Sequence, residues 1–217
     1  TGLSASTTYD YYLKAICAPG DSSSWAGPFT FGTTIQSPLG VNCISGGIPG
    51  LIFSDDLEIT GGWTGLGTGN STWTIGTGGT SSFNTGPSSS HTGTSYFYFE
   101  TSGSNWPMSG AIVSPIIDLS NANDDAELSF WIHAFGATMG NLNLGIGNSA
   151  TGPFTNVFSN SGQLQTGSND PYQNVGIDLS SYLGQQIYLQ FDYISGSSYT
   201  GDIAIDLIEI SSCISCP

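Results

Sequence analysis

G-D-I-A-I-D-L-I-E-I, residues 201–210, decides the fold class. Ile203, Ile205 and Leu207 alternate with Asp202, Ala204 and Asp206, and Ile210 extends the apolar set. A period of two fits a strand with one buried face. The same signature recurs outward along the chain, at Ile187–Tyr193, Val175–Asp178, Leu142–Gly147, Ala126–Ala134, Ala111–Val113 and Tyr96–Glu100. Near the start it returns at Tyr9–Ile16 and Phe29–Thr33. Gly, Asn, Ser and Pro punctuate these runs, and helical periodicity is nearly absent. The chain therefore reads as all-β, a two-sheet antiparallel sandwich with a short N-terminal hairpin. Phe130 and Trp131 sit inside L-S-F-W-I, so at least one belongs in the core. Trp63, Trp73 and Trp131 are all expected there.

With 217 residues, the chain has length for one sandwich and a small remainder. Sixteen acidic residues stand against a single base, Lys14, for a formal net charge of −15. Nucleic acid is thereby excluded as a partner, because phosphate recognition needs clustered Lys and Arg. An anionic membrane surface and sulfated glycans are disfavoured on the same ground. No run approaches the roughly 20 apolar residues of a membrane-spanning helix. Neutral glycans, proteins and cations remain.

Cys17, Cys43, Cys213 and Cys216 lie toward the two ends of the chain. C-x-x-C at 213–216 lacks the helix of a redox motif and the second knuckle of a four-sulfur zinc site. Disulfides are the expected state, which implies an extracytoplasmic setting. Cys43 with Cys213 would tie the main domain's start to its end. Cys17 would then pair with Cys216 or with a cysteine beyond this segment, and the sequence leaves the pairing open.

Residues 1–35 differ in kind from the rest. Leu3, Ala5, Thr7 and Tyr9 resemble the L-x-P-x-T-x-Y corner of a fibronectin type III domain, with Ala5 where Pro is usual. S-S-W-A-G-P-F-T-F-G-T, residues 23–33, resembles that family's last strand. Residues 36–52, rich in Gly, Pro and Ser, read as a linker. From residue 53 to 217 the sequence resembles the MAM domain. D-L-E-I-T-G-G-W at 56–63, S-T-W-T-I-G at 71–76, N-T-G-P-S-S-S-H-T at 84–92 and Y-F-Y-F-E-T-S at 96–102 follow the family's order. F-W-I-H-A-F-G at 130–136 and the 201–210 strand complete it. The resemblance implies a jelly roll. It departs from the family at Ser90, where an Asp commonly precedes the His, and at Leu207, where a second Asp is usual.

The resemblance also implies a cation near the first and last strands. A calcium ion takes six to eight oxygens, and Asp55, Asp56, Glu58, Asp202 and Asp206 are the expected structural ligands. Gathered without a base, such carboxylates would repel one another. A catalytic carboxylate pair, Asp202 with Asp206, is the enzymatic alternative. His133 reads as a packed, hydrogen-bonded core residue and His91 as a loop-structuring one. For a ligand, Trp106 in G-S-N-W-P-M-S-G is the expected exposed stacking residue, with Tyr172 and Tyr199 next. The function expected is non-catalytic adhesion or binding of carbohydrate or protein, within a secreted or cell-surface protein of bacterial type. One alternative is a repeat unit of an extracellular fibre that self-associates through residues 1–35. Another is an accessory or catalytic domain of a secreted hydrolase.

Overall fold

A computed structural model describes residues 8–18, 21–32, 35–59, 61–68 and 71–214. Leu3, Ala5, Thr7 and Cys216, and the side chain of Cys17, lie outside this description. The chain divides into two compact units, residues 1–36 and 37–217.

In the first unit β1 (Thr8–Leu13) pairs antiparallel with β4 (Ala26–Gly32), and β2 (Ile16–Ala18) pairs with β3 (Asp21–Ser22). Tyr11 faces Phe29 across the hairpin, ring centroids 5.4 Å apart, and Lys14 lies over Trp25 at 5.7 Å. The hairpin is two-stranded, as the alternation predicts. The first strand ends at Leu13 rather than Ile16.

The second unit is a sandwich of β5 (Ile48–Asp55), β6 (Trp73–Thr77), β7 (Ser95–Phe99), β8 (Ser109–Val113), β9 (Ile117–Asp118), β10 (Asn123–Ala134), β11 (Asn141–Gly147), β12 (Thr155–Ser161), β13 (Gln173–Asp178), β14 (Gln186–Ile194) and β15 (Ile203–Ile214). One sheet runs β13-β10-β15-β7-β6, with β5 pairing the C-terminal half of β15. The other runs β12-β11-β14-β8, with β9 also on β14. All these pairings are antiparallel.

Aromatic side chains fill the space between the sheets. Phe130 meets Phe191 at 5.1 Å and Phe158 at 5.5 Å, Phe99 meets Tyr193 at 5.4 Å, and Trp63 meets Phe97 at 5.2 Å. Each large apolar side chain buried this way contributes about 1.5–3 kcal/mol of transfer free energy. Trp73 is fully buried, its indole N–H donating to the Gly110 carbonyl at 2.9 Å.

The strand that decides the fold is less regular than its sequence. Ile203, Ile205, Ile208 and Ile210 are fully buried, whereas Leu207 is only half-buried and takes φ 41°. A bulge against β10, between Ser129 and Trp131, inserts this extra residue and moves the inward series from 205 to 208. Leu207 is therefore not one of the inward residues that strict alternation assigns. Asp206 Oδ1 accepts the Leu207 N–H at 2.7 Å at the bulge.

Residues 37–47, read as linker, lie against the sandwich, and β5 begins at Ile48, still inside that stretch. The Glu127 carboxylate accepts the N–H groups of Leu39 and Gly40, both at 2.8 Å, and Asp125 accepts that of Asn42 at 2.8 Å. Asp124 takes both the N–H and the hydroxyl of Ser45. The Cys43–Cys213 disulfide fastens the same stretch to the end of β15.

Candidate functional site

Strand alternation puts Trp131 and His133 on the face of β10 opposite Phe130 and Ile132. That outer face also holds Tyr96, Tyr98, Ala204 and Tyr172 in a second, smaller apolar cluster. Two loops cover it, residues 78–94 and 162–172. Trp131 is thus half-buried at the surface and not a residue of the inter-sheet core. The fully buried neighbour is Phe130.

Where the loops meet, a pocket of about 440 Å³ opens between Ser88–His91, Trp131 and Ser168–Tyr172. His91 stacks flat on Trp131, ring centroids 3.7 Å apart at 16°, and Tyr172 stands 5.8 Å from His91. Each wall is fixed by hydrogen-bonded polar groups. Asp206 Oδ2 accepts the N–H groups of His91 at 2.7 Å and Thr92 at 3.1 Å. Gln165, itself buried, accepts the Ala134 N–H and donates to the carbonyls of Ile132 and Pro171. Asp170 Oδ2 closes its own loop by accepting from the Thr166 N–H and hydroxyl and from the Gly167 N–H. The walls are joined by the Ser88 N–H on the Ser168 carbonyl and by the Tyr172 hydroxyl on that of Ser89. The pocket is preformed.

Its electrostatics are simple. Burial lowers the pKa of His91, favouring the neutral imidazole. His133 lies fully buried behind Tyr172, ring centroids 5.1 Å apart, and burial pulls its pKa down to about 4. His133 is packed as expected, and neither ring nitrogen makes a well-formed hydrogen bond among the described residues, although the backbone of Gly167 and Asp170 lies close enough to favour its cation. The Thr166 hydroxyl and N–H hold Asp170 below the usual carboxylate range. The pocket presents an aromatic wall, seryl hydroxyls and one carboxylate.

The five expected cation ligands do not gather. Asp55 accepts the Trp63 indole N–H at 2.8 Å and the Leu57 N–H at 2.9 Å, and Asp56 accepts the Glu58 N–H. Glu58 takes the N–H groups of Thr94 and Ser95 and the Thr94 hydroxyl. Asp202 sits apart, bound to the N–H and hydroxyl of Thr101. Among the described residues, no three His, Cys, Asp or Glu side chains converge in a way that could hold a metal ion. The N–H donors of the 91–95 loop satisfy Asp206 and Glu58 where a cation was expected, so the five-carboxylate set does not fit calcium.

Of the expected ligand residues, only Tyr172 lines the pocket, and it is 7% exposed rather than a surface platform. Trp106 is half-buried, its indole N–H donating to the Thr101 carbonyl at 2.9 Å. Tyr199 is 45% exposed, and its carbonyl accepts the Thr101 hydroxyl. Asp202 and Asp206 are both fully buried and anchor different loops. The sequence reading missed the His91–Trp131 pair. Its one signal was that Trp131 and His133 share a strand face opposite Phe130.

The profile of the MAM domain (meprin/A5/mu) matches residues 53–217, and the chain belongs to this family. The family is extracellular, in keeping with the Cys43–Cys213 disulfide. Among the described residues no helix is long and apolar enough to cross a membrane. Among solved structures the chain is similar to the K3 cleaved adhesin domain of Lys-gingipain from Porphyromonas gingivalis W83, at 14% identity over 76% of this chain and 99% of that one, TM-score 0.48. It is similar to a cyclase from Fischerella sp. TAU at 12% identity, 78% and 100% coverage and TM-score 0.49. A family 11 carbohydrate-binding module from Clostridium thermocellum, solved with a mixed-linked tetrasaccharide, is similar at 14% identity, 77% and 98% coverage and TM-score 0.43.

Proposed function

We propose that this domain is a non-catalytic extracellular binding module that holds a neutral glycan in the His91–Trp131–Tyr172 pocket. The observation that carries the reading is a preformed aromatic wall ringed by Ser89, Ser168 and Asp170 with no positive charge nearby. Sugar rings offer apolar C–H faces to aromatic groups and hydroxyls to polar rims. An anionic glycan would meet Asp170 with no Lys or Arg anywhere in residues 37–217 to offset it. Glycoside hydrolysis is disfavoured because Asp170 is the one carboxylate lining the pocket, with an oxygen already held by its own loop, so no carboxylate pair forms.

The test is calorimetric titration of the full chain with cellohexaose, xylohexaose and mannohexaose at pH 7. Trp131→Ala should weaken the hexasaccharide that binds by about tenfold or more, a loss of about 1.4 kcal/mol. Unchanged affinity in a folded Trp131→Ala variant would refute this site.

A further inference from the structure

We propose that the outer face of the other sheet carries a second binding groove, built for a neutral polyhydroxylated chain. The residues concerned are separate from those of the pocket above. In β11 and β14 one parity of residues, with Leu144 and Phe191, enters the core. The other parity faces away, and the register sets Asn143 beside Asp192 and Gly145 beside Gln190. Asn156 of β12 borders the same row, opposite Gly145.

Glycine shapes the groove. A Cβ at Gly145 would fall 2.8 Å from Phe154 Cβ, and one at Gly147 only 2.6 Å from the Pro153 carbonyl oxygen. Because both positions are glycine, the Pro153–Phe154 segment lies down on the sheet, and half-buried Phe154 becomes a wall. The resulting space, about 210 Å³, is lined by Asn143, Gly145, Phe154, Asn156, Gln190 and Asp192.

The polar groups of this row are unequally used by the protein. Ser159 Oγ lies 2.8 Å from the side-chain amides of both Asn143 and Asn156. Gln190 and Asp192 make no side-chain hydrogen bond among the described residues, although both are half-buried. Burial alone raises the pKa of Asp192, whereas Asp170 is lowered by donors of its own loop. A half-buried Gln190 amide and Asp192 carboxylate without side-chain hydrogen bonds among the described residues suit a ligand that both donates and accepts. Hydroxyl groups do both, and Phe154 offers an apolar surface beside them. Asp192, with no base in residues 37–217, disfavours an anionic chain. Because the pocket and the groove lie on the outer faces of opposite sheets, occupancy of both would make the domain bivalent, able to bridge two glycan chains.

The test uses the full chain with cellohexaose, xylohexaose and mannohexaose in the calorimeter, alongside Asn143→Ala/Gln190→Ala, Asp192→Ala and Trp131→Ala variants whose melting is checked first. The expected result is two equivalents of one hexasaccharide per chain. Asn143→Ala/Gln190→Ala and Asp192→Ala should each remove one equivalent, or weaken it about tenfold or more. Trp131→Ala should leave that equivalent intact. Binding lost in the Asn143→Ala/Gln190→Ala chain but untouched by Trp131→Ala supports the groove and removes the pocket instead. A single equivalent insensitive to the groove variants overturns the proposal, and so does failure of all three sugars to bind.

Discussion

Replacing His133 by leucine should remove a weakness that the native protein carries into mild acid. His133 is fully buried, and neither ring nitrogen makes a well-formed hydrogen bond among the described residues. Burial dominates and brings the pKa down to about 4, against a smaller opposing pull from the nearby backbone of Gly167 and from Asp170. In the unfolded chain the imidazole titrates near its ordinary value of about 6.5. Between those values the unfolded state binds more protons, so this group's contribution is present above pH ~6.5 and is lost as pH falls toward 4. From pH 7 to pH 5 the loss is about 2 kcal/mol.

Asp202 and Asp206 act with the opposite sign. Burial pushes both up to about 6, assisted at Asp202 by the neighbouring Glu100. The folded state then binds the extra proton, so stability rises as pH falls through 6 toward the ordinary carboxylate range. Each contributes about 1 kcal/mol over the same interval. The contributions of these three groups nearly cancel from pH 7 to pH 5, whereas His133→Leu should gain about 2 kcal/mol relative to the native chain over that interval. At pH 7 the variant should lie within about 1 kcal/mol of the native chain, because desolvated, unpartnered nitrogens are exchanged for a slightly worse fit. Urea unfolding at pH 7, 6 and 5, followed by tryptophan fluorescence, measures both slopes. Parallel profiles for the two proteins would refute the reasoning.

The two aspartates of β15 should respond oppositely to amide replacement. Asp206→Asn sets an amide nitrogen against N–H donors from His91, Thr92 or Leu207 and should cost about 2–3 kcal/mol in urea unfolding at pH 7. Asp202→Asn keeps an acceptor for Thr101 while discharging a buried group beside Glu100, and should raise stability at pH 7.5 by about 1–2 kcal/mol. Reducing Cys43–Cys213, which are 170 residues apart, should cost about 3–5 kcal/mol, read as a fall in the urea midpoint with dithiothreitol. Millimolar calcium against EDTA should move the melting temperature by less than about 2 °C. A rise of several degrees would show that backbone carbonyls complete a cation site at Asp206 and Glu58.

Strand content was legible because alternation survives wherever one sheet face meets the core, as at Leu142–Ile146 and Ile187–Tyr193. It failed where that premise failed. Ala204 and Asp206 sit under loops and are as buried as Ile205, so β15 is covered on both faces and its bulge at Leu207 leaves no trace in the pattern. β12 reads T-N-V-F-S-N-S, with too few apolar residues to signal a strand. β5 opens I-P-G, where proline and glycine mimic a linker, although the strand holds the sheet position beside the C-terminal half of β15. The pocket was hidden for a related reason. Trp131 looks like core on any hydrophobicity scale, and only the fold of two polar loops over the outer sheet face sets His91 against it.

The charge imbalance, which pointed to a cation, has a different resolution in the structure. A carboxylate can be compensated by N–H donors as well as by a base or a metal, and a loop-rich chain has many unpaired N–H groups to offer. Glu127, Asp125 and Asp124 hold residues 39–45, Glu58 and Asp206 hold 91–95, and Asp170 and Asp178 hold their own turns. Seryl and threonyl hydroxyls first, and these N–H groups second, lower the pKa of Glu58, Asp118, Asp124, Asp170 and Asp178. Their stabilisation is present above the ordinary carboxylate range and is lost only as pH falls through the lowered values. Acid should therefore release the loops before it disturbs the inter-sheet aromatics. Both binding surfaces are organised by this scheme, but differently. In the pocket the acids hold the walls in place. In the proposed groove Asp192 has no such donor among the described residues, which is why that carboxylate, and not a clamped one, is the acid we propose for a ligand.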